Sequence, residues 1–176
     1  MTAVLPRVHM VSDEEAKGKV LELFEAMKES KGAVPKWMRV MANCDDILLG
    51  FFGLFKATMD NSPLESKMKW KLAYHVSELN KCEFCVSVSE MQLKQFGMQP
   101  EEMGNLKEAA TGREALAFEY VEAVNDHAYK MEPALLERVQ AEFTDEELVE
   151  LTSVVGLFSF INRFNDALGV LPEAAE

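Results

Sequence analysis

Histidine and cysteine are both scarce in this chain. Its 176 residues hold three histidines, His9, His75 and His127, and three cysteines, Cys44, Cys82 and Cys85. Three thiols argue against a structural disulfide framework. One Cys-x-x-Cys, with no second pair and no His-x-x-x-His, supplies only two of the four ligands of a structural zinc site, so no metal is expected. Positive charge is also short. Lys and Arg total 18 against 30 Asp and Glu, for a net charge of −12, which argues against nucleic acid because phosphate binding needs a basic patch. No apolar stretch is long and charge-free enough to span a bilayer. Met1 to Val11 does not show the basic-then-apolar layout of a signal peptide. The expectation is a cytoplasmic protein with neither membrane nor nucleic acid as partner.

Period-two alternation is missing too, and with it any strand of useful length. What remains is helical punctuation. Ser12-Asp13-Glu14-Glu15 reads as a capping box, followed by Val20, Leu23, Phe24 and Met27 at helical spacing and a stop at Gly32. Pro35 opens a short helix with Trp37, Met38 and Met41. Asp45 or Asp46 caps a third, from Ile47 to Met59, apolar over more than one stripe as a central or subunit-shared helix would be. Ser62-Pro63-Leu64-Glu65 offers a fourth start, with Pro63 suited to the first helical position, and Met68, Leu72, Val76 and Leu79 as its buried face.

Asn80-Lys81 breaks that pattern, and Cys82 begins a helix running to Gly97. Gln99-Pro100 opens a short helix. Thr111-Gly112 caps one with Leu116, Tyr120, Val124 and His127 on one side, and Pro133 starts another. Thr144-Asp145-Glu146-Glu147 caps the last, which reaches Leu168. The fold class is all-α. The expectation is one domain over 1–176, with N-terminal helices at 12–59, a thiol region at about 62–97 and C-terminal helices at 111–169. The eleven Met and eleven Phe read as core and interface filling, or as the lining of an apolar tunnel.

Cys82-Glu83-Phe84-Cys85 carries the chemistry. Two thiols at this spacing on a helical first turn can close into a disulfide or carry one reactive thiolate, which the helix N-terminus favours. A thiolate that attacks a peroxide becomes a sulfenic acid, and a second thiol converts that to a disulfide. Thioredoxin-like proteins use the same spacing on a βαβ scaffold, which this sequence does not show. Two buried small hydrophobes are the plain alternative. Cys44, with no thiol or histidine near it in sequence, reads as a bystander.

Ser62-Pro63-Leu64 followed by Glu78-Leu79-Asn80-Lys81-Cys82-Glu83-Phe84-Cys85 resembles the carboxymuconolactone decarboxylase and alkylhydroperoxidase D (AhpD) superfamily. Ala16-Lys17-Gly18-Lys19-Val20, Gly32-Ala33-Val34-Pro35 and Asn162-Arg163-Phe164-Asn165-Asp166-Ala167-Leu168-Gly169 are similar to its peroxidase-related branch. The resemblance covers nearly the whole chain. It implies an all-helical bundle assembled as trimers or hexamers, acting as a thiol peroxidase without a cofactor. Cys85 would be peroxidatic and Cys82 resolving, with a lipoyl or thioredoxin-like dithiol as reductant and a hydroperoxide as substrate.

The family motif places a Glu twelve residues before the first cysteine and a His four after the second. Here those positions hold Trp70 and Ser89. Trp offers only an N–H donor, and Ser a hydroxyl that bridges but is no base near neutral pH. A relocated relay from His75, oriented by Glu78, is one reading of the helical spacing; a core histidine is the other. Loss of the relay also suits a second class of function, a redox-sensing or structural oligomer with impaired peroxidase activity. His127 reads as structural. Asn162, Arg163 and Asn165 interrupt an apolar helix and read as packing determinants needing partners.

Overall fold

A computed structural model describes residues 6–60 and 62–172; the first five residues of the N-terminal arm read above lie outside it. Among the described residues every regular element is helical, as the punctuation predicts. They are α1 (Gly18–Lys31), α2 (Lys36–Met41), α3 (Asp45–Met59), α4 (Ser66–Leu79), α5 (Glu83–Gln95), α6 (Pro100–Met103), α7 (Leu106–Ala109), α8 (Gly112–His127), α9 (Pro133–Glu142) and α10 (Asp145–Leu168), with a 3-10 turn at Ala128–Lys130. No helix among them is long and apolar enough to cross a membrane.

Contacts cluster into two compact units where the sequence suggests one domain. One takes in the described residues up to Ala57 together with those from Phe164 on; the other is Thr58–Arg163. The boundaries fall inside α3 and α10.

In the first unit the Ser12 capping box does form. The Ser12 N–H donates to Glu15 at 2.8 Å, and the Glu15 N–H donates to Ser12 Oγ at 3.3 Å. Yet it closes only a turn. The helix starts at Gly18, whose φ of +53° is a left-handed conformation that interrupts any run from residue 12. Gly32 ends α1 at φ +81°, its N–H on the Lys28 carbonyl. Asp13 is held by Lys28 at 2.9 Å and Arg39 at 2.8 Å, and these two cations keep its carboxyl below the usual range. Trp37 meets Phe51 edge to face at 5.4 Å. On α3, Leu48 and Phe51 are buried while Ile47 and Leu54 are about half exposed, at 51% and 53%.

The second unit holds the Cys-x-x-Cys region. Its core includes Leu72, Val76, Leu93, Phe118, Val121, Val139, Leu151 and Val154. The predicted start of α4 at Pro63 is displaced to Ser66, with Glu65 as N-cap. The reason is a tertiary anchor. Glu150 on α10 accepts the Ser62 hydroxyl and the Leu64 N–H, the latter at 3.0 Å. Wholly buried Lys69 reaches the Asp60 carbonyl, the Ser62 hydroxyl and Glu150. Backbone held this way is not available to a first helical turn. The Thr144–Glu147 box forms as read, with bonds of 2.9 and 3.3 Å, and Arg113 beside Glu147 keeps that carboxyl lowered. On α8 the buried face is Ala117, Phe118, Tyr120 and Val121 rather than the stripe ending at His127, which is half-buried and bonded to Asp126.

Candidate active site

The thiols sit where α4 reverses into α5, and backbone hydrogen bonds set that reversal. The Cys82 N–H donates to the Ser77 carbonyl and the Lys81 N–H to the Glu78 carbonyl, both at 3.0 Å. These are the paired bonds of a Schellman cap, which requires a left-handed residue between them. That residue is Lys81, at φ +60°, the single non-glycine with positive φ among the described residues. A lysine there costs on the order of 1 kcal/mol relative to right-handed backbone. The turn is short because Cys82 is at once the second residue past the cap of α4 and the N-cap of α5, with extended φ −87° and ψ 95°.

From that N-cap, the Cys82 carbonyl accepts the Val86 N–H at 3.0 Å and starts α5. Cys85 is the third residue of the helix, inside the first turn, where backbone N–H groups have no intrahelical acceptor. The two Sγ atoms meet at 2.8 Å, and both residues are buried, Cys82 completely. The helix terminus favours a thiolate here. Burial opposes one. Cys44 lies elsewhere on the surface.

The three relay candidates, and Trp70 at the missing acid's position, separate. Ser89, one turn beyond Cys85 on the same helix, is wholly buried, and its Oγ has no hydrogen-bond partner among the described residues. Trp70 is buried in the core, edge-on to Phe158 with ring centroids 5.9 Å apart. His75 does not pair with Glu78 as the spacing suggests. Its Nε2 lies 2.8 Å from Glu122 Oε1 on α8, and its ring meets Phe118 edge to face at 5.2 Å. Glu78 is exposed, and its carboxylate helps to raise the neighbouring Tyr74 phenol. The helical turn accounts for this. Residues 75 and 78 both lie on α4, but a partner arriving from α8 reaches the imidazole directly.

No family model matches the chain. Among curated proteins it is 27% identical over 114 residues to an uncharacterized protein, YnjA, of Escherichia coli K12; the match takes in 62% of this chain and 63% of YnjA, less than two thirds of that protein's length. Among solved structures it superposes on the alkylhydroperoxidase AhpD core of an uncharacterized peroxidase-related protein from Ralstonia eutropha JMP134, with a TM-score of 0.86 at 19% identity over 96% of this chain and 92% of that one. It superposes as well on the debrominase Bmp8, with a TM-score of 0.80 at 19% identity over 99% and 93%. The chain has the AhpD-like fold.

Within this AhpD-like fold several residues near the thiols carry no motif-level signal. Tyr74, 5% exposed, is pushed up to about 12 by burial and by the carboxylates of Glu78 and Glu90, so it is a neutral hydrogen-bond donor at any physiological pH. Burial alone would raise the Glu122 carboxyl, but Lys107 and His75 against it leave it lowered. Asn80 and Asn162, read from sequence only as a pattern break and a packing residue, are hydrogen-bonded to each other at 2.9 Å. Partners of this kind lie 45 to 82 residues apart, and no local spacing rule finds them. A shallow recess of about 390 Å³ lies over the turn, lined by Glu78, Lys81, Glu83, Val86, Ser87 and Glu90. No group of three or more His, Cys, Asp or Glu suited to a metal occurs among the described residues.

Proposed function

We propose that the Cys82–Cys85 pair is a two-electron thiol–disulfide centre and that the protein is a thiol-dependent hydroperoxidase. One observation carries the reading: two buried thiols in contact at 2.8 Å on the first turn of α5. Cys85 is the attacking sulfur. Its thiolate bonds to the terminal oxygen of a hydroperoxide, the O–O bond breaks, and the alkoxide leaves as an alcohol after taking a proton. Cys85 is then a sulfenic acid. Cys82 attacks the Cys85 sulfur, hydroxide leaves as water, and the pair is a disulfide. An external dithiol of lipoyl or thioredoxin-like type reduces it by exchange. In sum, one hydroperoxide and two thiols give one alcohol, one water and one disulfide. The peroxidase-related neighbour with the same fold supports this assignment.

A second reading is favoured by Trp70 and Ser89, which leave the family's proton-relay positions without a base. With a debrominase sharing the fold, the electrophile attacked by Cys85 would be bromine on an aromatic carbon. The C–Br electron pair stays on carbon, which takes up a proton, and Cys82 displaces bromide from sulfur to give the same disulfide. The two readings share the centre and differ in substrate.

The test is a thiol count on fully reduced protein after one equivalent of an organic hydroperoxide or, separately, of a bromopyrrole. Rapid loss of two thiols with the hydroperoxide supports the peroxidase. That loss should vanish in Cys85→Ser and stop at a dimedone-trappable sulfenic acid in Cys82→Ser. Loss with the bromopyrrole alone supports the second reading. Loss no faster than that of free cysteine with either substrate sinks both.

A further inference from the structure

We infer that Asn162 is a positioning residue for the thiol pair, setting its redox equilibrium from α10 of the helix bundle formed by residues 58–163. The inference rests on the thiol–disulfide reading above and concerns what holds the two sulfurs together.

Asn162 lies on α10 and is wholly buried. Its amide nitrogen donates to Ser77 Oγ at 3.2 Å, and its amide oxygen accepts from Asn80 Nδ2 at 2.9 Å. Ser77 and Asn80 both belong to the C-terminal end of α4, which presents Cys82. Ser77 supplies the carbonyl that accepts the Cys82 N–H, while Asn80 is the cap residue directly before left-handed Lys81. One side chain therefore clamps two points of the α4 C-terminus, from which the turn departs.

The clamp is itself braced. Asn80 and Asn125 exchange reciprocal amide bonds at 3.2 Å, and Ser159 Oγ donates to Asn125 at 3.1 Å. Asn80 Nδ2 thereby uses both its hydrogens. Ser77 Oγ donates onward to the Ala73 carbonyl at 2.8 Å while accepting from Asn162. A partly buried, nearly saturated amide network of this kind is rigid, and removing one member leaves others unsatisfied.

The link to redox chemistry is geometric. A disulfide between two cysteines is favoured in proportion to the effective concentration of one thiol at the other. With φ of Lys81 and the Cys82 N–H held, the sulfurs stay in contact. Without the clamp, the strained lysine is released toward right-handed backbone, Cys82 leaves the Ser77 carbonyl, and the sulfurs spend less time within bonding distance. The disulfide then becomes easier to reduce. A wholly buried asparagine, with Ile161 beside it in the sequence, is costly unless hydrogen-bonded, and the clamp supplies those bonds.

The experiment is a redox titration of the Cys82–Cys85 pair against reduced and oxidised dithiothreitol, read by quantifying trapped thiols. The proteins are the full-length wild type, Asn162→Leu, and Val154→Ala as a control for stability loss in the same helix, since Val154 is buried outside the network. Asn162→Leu is expected to lower the equilibrium constant for disulfide formation about tenfold, a shift of about 30 mV toward a more oxidising pair. Val154→Ala should leave it unchanged. Where Asn162→Leu does not fold, Asn80→Ala cuts the same link at a half-buried turn and is expected to move the equilibrium in the same direction. A wild-type pair that closes normally, with variants within twofold of it, overturns the inference and leaves the thiol centre standing. A wild-type pair that never closes removes the thiol reading, and the inference with it.

Discussion

The His75 imidazole is bonded to Glu122 at 2.8 Å, and Glu122 in turn holds Lys107 through both carboxylate oxygens at 2.7 Å. One carboxylate thus joins α4, α8 and the α7 segment, and it does so beside two groups that carry or can carry positive charge. His75 is thereby paired with Glu122 on α8 rather than with Glu78 on its own helix.

Glu122 should contribute to acid sensitivity. Its folded-state carboxyl lies below the ordinary value of 4.5. A depressed carboxyl contributes stability that is fully present above its unfolded value and is lost as pH falls through the folded one. Urea melts of wild type and Glu122→Gln should differ most above about pH 5 and converge toward about pH 3. A gap that stays constant across that range would mean the carboxylate's charge is not what Lys107 and His75 stabilise.

Lys81 is the strained residue of the turn. Lys81→Gly removes the Cβ clash at φ +60° but adds chain entropy to the unfolded state, so a net gain of about 0.5–1 kcal/mol is expected. Lys81→Val should instead destabilise by more than 1 kcal/mol, roughly the left-handed cost for a β-branched residue. Denaturant midpoints at equal m-value decide it; equal midpoints for the two variants would contradict the left-handed geometry.

Ser89, where the sequence resemblance places a histidine, is buried with its hydroxyl unbonded among the described residues. Ser89→His should cost about 1–3 kcal/mol through overpacking. If the hydroperoxidase reading holds, it should also raise the rate of hydroperoxide-driven disulfide closure by roughly tenfold or more, the lower range of general acid–base contributions being about a hundredfold. Stopped-flow thiol loss measures this. An unchanged rate would mean position 89 does not face the reacting proton.

Ile47 and Leu54 leave a half-exposed apolar face on α3, and a homo-oligomer, a trimer or hexamer by family resemblance, is expected to cover it. Light scattering on the wild type at micromolar concentration should give a multiple of the 19.8 kDa chain, with Leu54→Glu shifting it toward monomer. A stable wild-type monomer would refute the assembly.

Helix identity and the position of the thiol pair were legible from sequence because both are local. Gly32, Thr144 with Glu147, and Cys82 at the head of α5 stop and start helices through groups only a few residues apart. Where local signals failed, a longer-range bond or a backbone conformation had intervened. Gly18 at φ +53° postponed α1, and Glu150, reaching across 86 residues to Leu64, displaced the start of α4.

By itself the sequence determined an all-helical chain with two thiols on one helical first turn, since capping chemistry and a four-residue spacing need no distant partner. Only the tertiary structure decided that His75 answers to Glu122 and that Asn162 clamps the turn before Cys82. Those pairings join residues separated by dozens of positions. The physical reason is that a hydrogen bond depends on a distance of about 3 Å in space, and chain packing, not sequence spacing, sets which side chains come that close.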